Sequence, residues 1–239
     1  MGMRIQRHHG IFFFIIAIAV VLIFILIPNY LSIKPKTSSQ IESKIEIKLP
    51  SPFFSSRTSI EEALKNRRSI RAYKNLSLTL QEVAQLLWAA QGITDNNGFR
   101  TAPSAGALYP LEIYLVAGNI ETLSSGIYHY VAANHSLEKI KDGDLRIMLT
   151  KAAIGQGSVK SAAADIVITA VFSRTIQKYG EMGKRFVFME AGHVAQNIYL
   201  QSVSLNLGTV SIGAFNGNDV KDVLDIKEEP LYIMPIGKI

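Results

Sequence analysis

The chain of 239 residues is 48% hydrophobic and carries a formal net charge of +6. That length can bury one good-sized core, and the basic residues are spread along it, which weighs against a nucleic-acid interface. The absence of cysteine excludes disulfides, thiolate metal sites, cysteine nucleophiles and a lipobox-type lipid anchor.

Residues 11–27 form an unbroken apolar run of about the length needed to cross a bilayer core, preceded by Arg4 and Arg7. The following Pro28-Asn29-Tyr30-Leu31 offers no small-residue cleavage site, so residues 1–28 read as an uncleaved signal anchor. Lys34 and Lys36 offset the two arginines in the positive-inside count, and the expectation is a single-pass anchor with the domain outside the cytoplasm. Residues 29–57 turn to Ser, Thr, Lys and Pro with an Ile-Glu-Ile-Lys alternation, the composition of a tether with one short extended piece. The domain proper is expected at 58–239.

It opens with Ser59 and Glu62 at capping-box spacing, and a helix towards Asn66 delivers Arg67-Arg68-Ser69-Ile70-Arg71. Three guanidinium groups and a hydroxyl within five residues suit a phosphate dianion; the alternative is a solvated basic turn. Thr79 and Glu82 repeat the capping signature, Val83, Leu86, Leu87 and Ala90 mark a core-facing helix, and Gly92 ends it. The loop from Arg100 to Pro110 is made of small residues and leads into a strand over 111–116. Its backbone can approach a flat ligand closely, with Ser104 as a donor, although a tight structural turn explains it equally well.

A hairpin is expected over 126–131 and 136–140, then a helix from Asp144 to about Gly155-Gln156-Gly157. That Gly-x-Gly lacks a third glycine and follows a helix, so it is neither a dinucleotide fingerprint nor a P-loop. The apolar run 166–172 predicts a buried strand, and 175–184 a polar connection. A long helix over 184–206 follows, stopped by Gly208, with Phe188, Ala191, Ala195 and Ile198 on its apolar side and Glu190, His193 and Asn197 on another. Glu-x-x-His on a helix invites a metal reading, but with no second such pair a buried polar network is the preferred one. Strand 209–212, loop 213–216, helix 219–224 and strand 231–236 complete an α+β order.

Taken together, RRSIR, LLWAAQGI from Leu86, RTAPSAGALYPLEIY from Arg100, GIYHY from Gly126, KYG from Lys178, FMEAGHVAQNIYLQS from Phe188 and IGAF from Ile212 resemble a nitroreductase-family flavoprotein of the SagB-type, thiazole/oxazole-forming dehydrogenase branch. The likeness spans about 59–237, and the N-terminal apolar helix lies outside it. It implies the nitroreductase-like fold, a central, mostly antiparallel sheet flanked by helices, and FMN held at a homodimer interface with both subunits contributing. Carried over by motif, Arg67, Arg68, Ser69 and Arg71 hold the phosphate and the polar edge of the flavin. Pro103, Ser104, Ala105 and Gly106 face the isoalloxazine, Gln156 brings an amide near it, and Gly213 and Ala214 lie by N5.

The same resemblance makes Lys178 and Tyr179 the pair that takes a proton while hydride goes to FMN, and a lysine does this at neutral pH only if its surroundings lower its pKa. The family pattern continues past the last strand to a further basic residue, whereas this sequence ends at Lys238-Ile239, with Lys238 read as a solvated terminus in preference to a substitute phosphate ligand. The implied enzyme oxidises thiazoline or oxazoline rings in a modified peptide. The alternatives are a reductase drawing on NAD(P)H to reduce small nitroaromatics or quinones, and a membrane-tethered assembly subunit without turnover.

Overall fold

The computed structural model describes residues 45–239. Seven strands form one sheet, β1 (Glu46–Lys48), β2 (Leu111–Ala117), β3 (Gly126–Val131), β4 (Ser136–Asp142), β5 (Ala164–Ala170), β6 (Leu207–Thr209) and β7 (Glu229–Lys238), in the spatial order β1-β4-β3-β2-β5-β7-β6. Every pairing between these strands is antiparallel. Among the described residues the helices are α1 (Ile60–Asn66), α2 (Leu80–Gln91), α3 (Arg146–Ala152), α4 (Gly157–Ser161), α5 (Ser173–Tyr179), α6 (Met182–Ser204) and α7 (Gly217–Leu224), with a 3-10 turn at Ala105–Ala107. The expected α+β class and antiparallel sheet are present.

The sheet is wrapped on both faces because its central strands are apolar on both. All seven residues of β5 are buried. Ile166 and Ile168 join α2 and α6 side chains such as Leu86, Leu87, Val194 and Ile198, while Val167 on the opposite face joins Leu149, Val220 and Leu224 from α3 and α7. Complete burial of each such isoleucine or valine contributes about 1.5–3 kcal/mol. Local signals agree with this packing: Thr79 and Glu82 form a complete capping box on α2, and Gly92 closes it.

Several expectations need correction. The sequence read as a tether is partly sheet, since β1 pairs with β4, Leu49 is buried, and the Phe53 backbone N–H and C=O bond the Gln85 side chain at 2.7 and 3.0 Å. The strand expected at 166–172 starts two residues earlier, because an unbroken apolar run does not mark its own ends and a buried aspartate, Asp165, lies inside the strand. The polar connection contains α5, which buries Thr175 and stops at Gly180, where φ is +58°. On α6 the buried stripe is Val187, Ala191, Val194, Ala195 and Ile198, whereas Phe188 is 57% exposed. The strand expected at 209–212 divides into β6 and a separate bridge from Ile212 to Ile233. The signal anchor of residues 1–28, and the tether as far as residue 44, lie outside the described residues; among the described residues no helix is long and apolar enough to cross a membrane.

Asp165 has no hydrogen-bond partner for either oxygen among the described residues, and burial raises its pKa well above the carboxylate range against the opposing charge of Arg146. In the unfolded chain this carboxyl ionises near pH 4, whereas the folded state keeps its proton to higher pH. The folded state therefore binds more protons, and this group's contribution to stability falls as pH rises through that interval. Asp165→Asn is expected to melt above wild type near pH 7.5, by about 2–4 °C for each kcal/mol recovered, with the gap closing towards pH 4. A variant that melts lower at every pH would show that the carboxylate is ionised and paired.

Candidate active site

The arginine segment has no helix or strand of its own, and Ile70 fixes its shape. The Ile70 N–H donates to the Thr209 carbonyl at 2.8 Å, and the Ile70 carbonyl accepts from the Tyr73 hydroxyl at 2.8 Å. Two glycines make room for this seating: a Cβ on Gly208 would lie 2.8 Å from an Ile70 methyl, and one on Gly237 would lie 2.6 Å from Tyr73. With Ile70 anchored, Arg68, Ser69 and Arg71 are exposed and Arg67 is half-buried. The Arg67 guanidinium stands 5.1 Å from the centre of the Tyr199 ring. Arg68 turns back to donate to the carbonyls of Lys65 and Arg67 at 3.0 and 2.7 Å, satisfying the C-terminal end of α1. Among the described residues, none of the three guanidinium groups is paired with a carboxylate.

Tyr199, on α6, ties this segment to the loop after β6. Its hydroxyl is 2.9 Å from the Ser69 hydroxyl and accepts the Ser211 N–H at 2.8 Å. Two residues beyond Ser211 come Gly213 and Ala214, both exposed, and the Gln156 amide donates to the Ala214 carbonyl at 2.8 Å. Arg67, Ser69, Gln156 and Ala214 thus belong to one connected group.

Pro103, Ser104, Ala105 and Gly106 belong to a second. Gly106 has φ of +63°, and a Cβ there would come within 2.7 Å of the Tyr179 hydroxyl and 2.8 Å of Lys178 Nζ, so the last turn of α5 lies directly on the loop. Lys178 is exposed, with its ammonium 5.5 Å from the Tyr179 ring centre. The Ser104 hydroxyl accepts the Tyr109 N–H at 2.9 Å, and Asn197 Nδ2 donates to the Thr101 carbonyl at 3.2 Å.

Under this loop lies a polar layer that sequence reasoning found only in part. Gln91 donates to Glu190 at 3.3 Å and accepts from Arg100 at 3.0 Å, and the Arg100 guanidinium stacks 4.6 Å from the Tyr109 ring centre. Burial raises the pKa of Glu190, against hydrogen bonds from Ser104 and Gln91 and the charge of Arg100. Glu112 receives His129 at 2.8 Å and Arg174 at 2.5 Å; burial pushes its carboxyl up, but these two bonds outweigh it and hold it below its ordinary value. Of the three polar residues expected to form a buried network on α6, Glu190 is buried on Gln91, Asn197 is half-buried and bonds the Thr101 carbonyl instead, and His193 is exposed. Glu112 and His129 carry no sequence signal, since they meet diagonally across neighbouring strands, Glu112 lying two residues from Tyr114, the register partner of His129.

Lys238 is neither a solvated terminus nor part of the arginine cluster. It is paired with Glu82, the capping residue of α2, while its backbone pairs with Leu207. A groove of about 490 Å³ bordered by Phe53, Trp88, Thr101 and Asn197 includes none of the sequence-predicted site residues.

The nitroreductase family model matches residues 64–238. The chain belongs to the nitroreductase family. A nitroreductase-family protein of Methanocaldococcus jannaschii is 46% identical over 179 residues, covering 75% of this chain and 90% of the relative. A nitroreductase-family crystal structure from Ralstonia eutropha superposes with a TM-score of 0.71 at 30% identity, covering 81% of this chain and 89% of that one. The microcin B17-processing protein McbC of Escherichia coli is 24% identical over 171 residues, 68% of this chain; this chain spans 63% of McbC. In the structure of the microcin synthetase McbBCD complex with truncated pro-microcin bound, the matching chain has a TM-score of 0.64 at 23% identity, a likeness of fold, covering 87% of this chain and 83% of that one. Nitroreductase-family proteins are oxidoreductases that generally use FMN and nicotinamide donors and are commonly homodimers.

The donor set fits FMN. Guanidinium groups with no carboxylate partner among the described residues, beside the Ser69 hydroxyl, match a phosphate dianion, and a loop of small residues at 103–106 suits the close approach of a flat ring. Gly106→Ala should destabilise the protein by about 1 kcal/mol for the left-handed backbone, with further loss from displacing Lys178 and Tyr179. A thermal melt checks this, and an unchanged melting temperature would mean that the turn relaxes freely around a methyl group.

Proposed function

We propose that this protein is an FMN-dependent dehydrogenase that oxidises azoline rings, thiazoline or oxazoline, in a modified peptide. The observation that carries this reading is the seating of Lys178 and Tyr179 on Gly106. It sets an amine and a phenol against the loop assigned to the flavin face, where a general base for substrate is needed. Similarity to McbC, named for processing a peptide antibiotic, agrees with a peptide substrate.

In this reading Arg67, Arg71 and Ser69 hold the phosphate and Arg68 lends charge while completing α1. Gln156 fixes the 213–214 loop through Ala214, so that its backbone and amide face the ring. Bound there, FMN would supply a two-electron acceptor at N5. Lys178 takes the proton lost from the azoline carbon as the ring becomes aromatic, and Tyr179 keeps the amine on the loop. The site is completed by a second copy: the arginine group and the Lys178 group are separate clusters in one chain, and α6 offers exposed Met182, Phe188 and Met189 to a partner helix. Residues 11–27 serve as the membrane anchor of this dimer.

A second reading is reduction of nitroaromatics or quinones with NAD(P)H, favoured by the 46% identity to the Methanocaldococcus jannaschii protein. Absorbance of purified protein separates the two. A flavin band that bleaches on anaerobic NADH or NADPH supports the reductase; a band that bleaches only on an azoline peptide supports the dehydrogenase.

Arg67→Ala with Arg71→Ala is expected to release FMN from a folded protein, and retained stoichiometric flavin would remove the arginines from the site. Lys178→Ala is expected to keep the flavin band and reduce azoline oxidation by about 10²–10⁴-fold, the usual range for a general base. Full turnover in that variant would remove the lysine from the mechanism.

A further inference from the structure

One hydrogen bond at Tyr199 has a fixed direction, while in its two hydroxyl contacts either oxygen can donate. A backbone N–H can only donate, so the Tyr199 oxygen accepts from Ser211, at 2.8 Å. The phenol has one hydrogen left to give, and two acceptors are within reach: the Ser69 hydroxyl at 2.9 Å and the Ser211 hydroxyl at 3.4 Å. The shorter contact is the better bond for an O–H donor. Once Ser69 accepts this hydrogen, its own must point elsewhere, and Ser69 is exposed among the arginines while Tyr199 is 7% exposed.

We propose that Tyr199 is a positioning residue for the cofactor phosphate: the chain Ser211 N–H to Tyr199 O–H to Ser69 O–H holds the Ser69 proton outward as a ready donor to a phosphate oxygen. The proposal rests on the reading that FMN binds with its phosphate at Arg67 and Ser69. A fully ionised phosphate only accepts, so a serine whose proton points inward would oppose it with a lone pair. The Arg67 guanidinium beside the Tyr199 ring adds positive charge to the same spot. Sequence reasoning missed Tyr199, which lies 130 residues from Ser69 on the face of a helix where an apolar ring is expected.

The test titrates FMN and riboflavin, which lacks the phosphate, into the full chain stripped of flavin. Tyr199→Phe keeps the ring and the Arg67 contact and removes only the hydroxyl. It should weaken FMN by about ten-fold, the size expected for a hydrogen bond to a charged acceptor, and leave riboflavin unchanged. Ser69→Ala, at an exposed position, should show the same phosphate-specific loss, and the double variant no further loss. Equal weakening of both flavins in Tyr199→Phe would mean that the hydroxyl merely supports the 211–214 loop and would overturn the proposal. Wild-type discrimination that survives both substitutions would overturn it too, leaving the arginine assignment intact. Wild-type protein that does not distinguish FMN from riboflavin would overturn the phosphate site itself and this role with it.

Discussion

A short extended segment rich in arginine would repel itself into many shapes were it not fastened, and two hydrogen bonds at the Ile70 backbone do the fastening. They join the segment to β6 on one side and to Tyr73 on the other, in space left by Gly208 and Gly237. The odd positions of the motif follow from this one half-buried residue: with its apolar member docked, the polar members turn to the outside. The same contact protects the sheet, because the backbone of residues 70–74 runs along β6 and the end of β7 and covers what would be an open edge.

The second half of the site is organised differently. The loop at 103–106 is carried on a polar layer, Glu190, Gln91, Arg100, Glu112, His129 and Arg174, in which each charged group has a partner of the opposite sign or a hydrogen bond. The layer's buried members, Gln91 and Glu190, contribute less to stability than to uniqueness of position, since displacing them leaves a desolvated group unpaired. A loop of small residues has little packing of its own, so its position has to come from what lies below.

The sequence made the local parts of this structure legible and left the long-range parts obscure. Capping at Ser59 and Thr79, the hairpin after Gly126 and the apolar face of α2 are written in neighbouring residues, and all appear where their spacing puts them. The motif order also made the family readable, and with it the candidate residues. What could not be read depends on partners far along the chain. Lys238 looks like a loose end until Glu82 is opposite it, α5 looks like a polar connection until Thr175 is buried, and Tyr199 looks like core until Ser69 and Ser211 converge on its hydroxyl. The short extended piece at 46–48 was legible from its alternation, but its partner was not, since only the fold sets it beside β4.

The cradle around Ile70 also has a place in time. Its fastenings reach across the chain, with Ser69 meeting Tyr199 130 residues later and Tyr73 reaching Pro235 162 residues later. During synthesis α1 and the arginines emerge early, yet nothing exists to shape them until β6 and β7 have been made and paired with β5. Contacts of such separation form late, after the loop they close has already lost its freedom. The shape of the arginine segment is therefore a property of the finished fold and of no earlier stage, so any pocket it builds opens only once the last strands are in place.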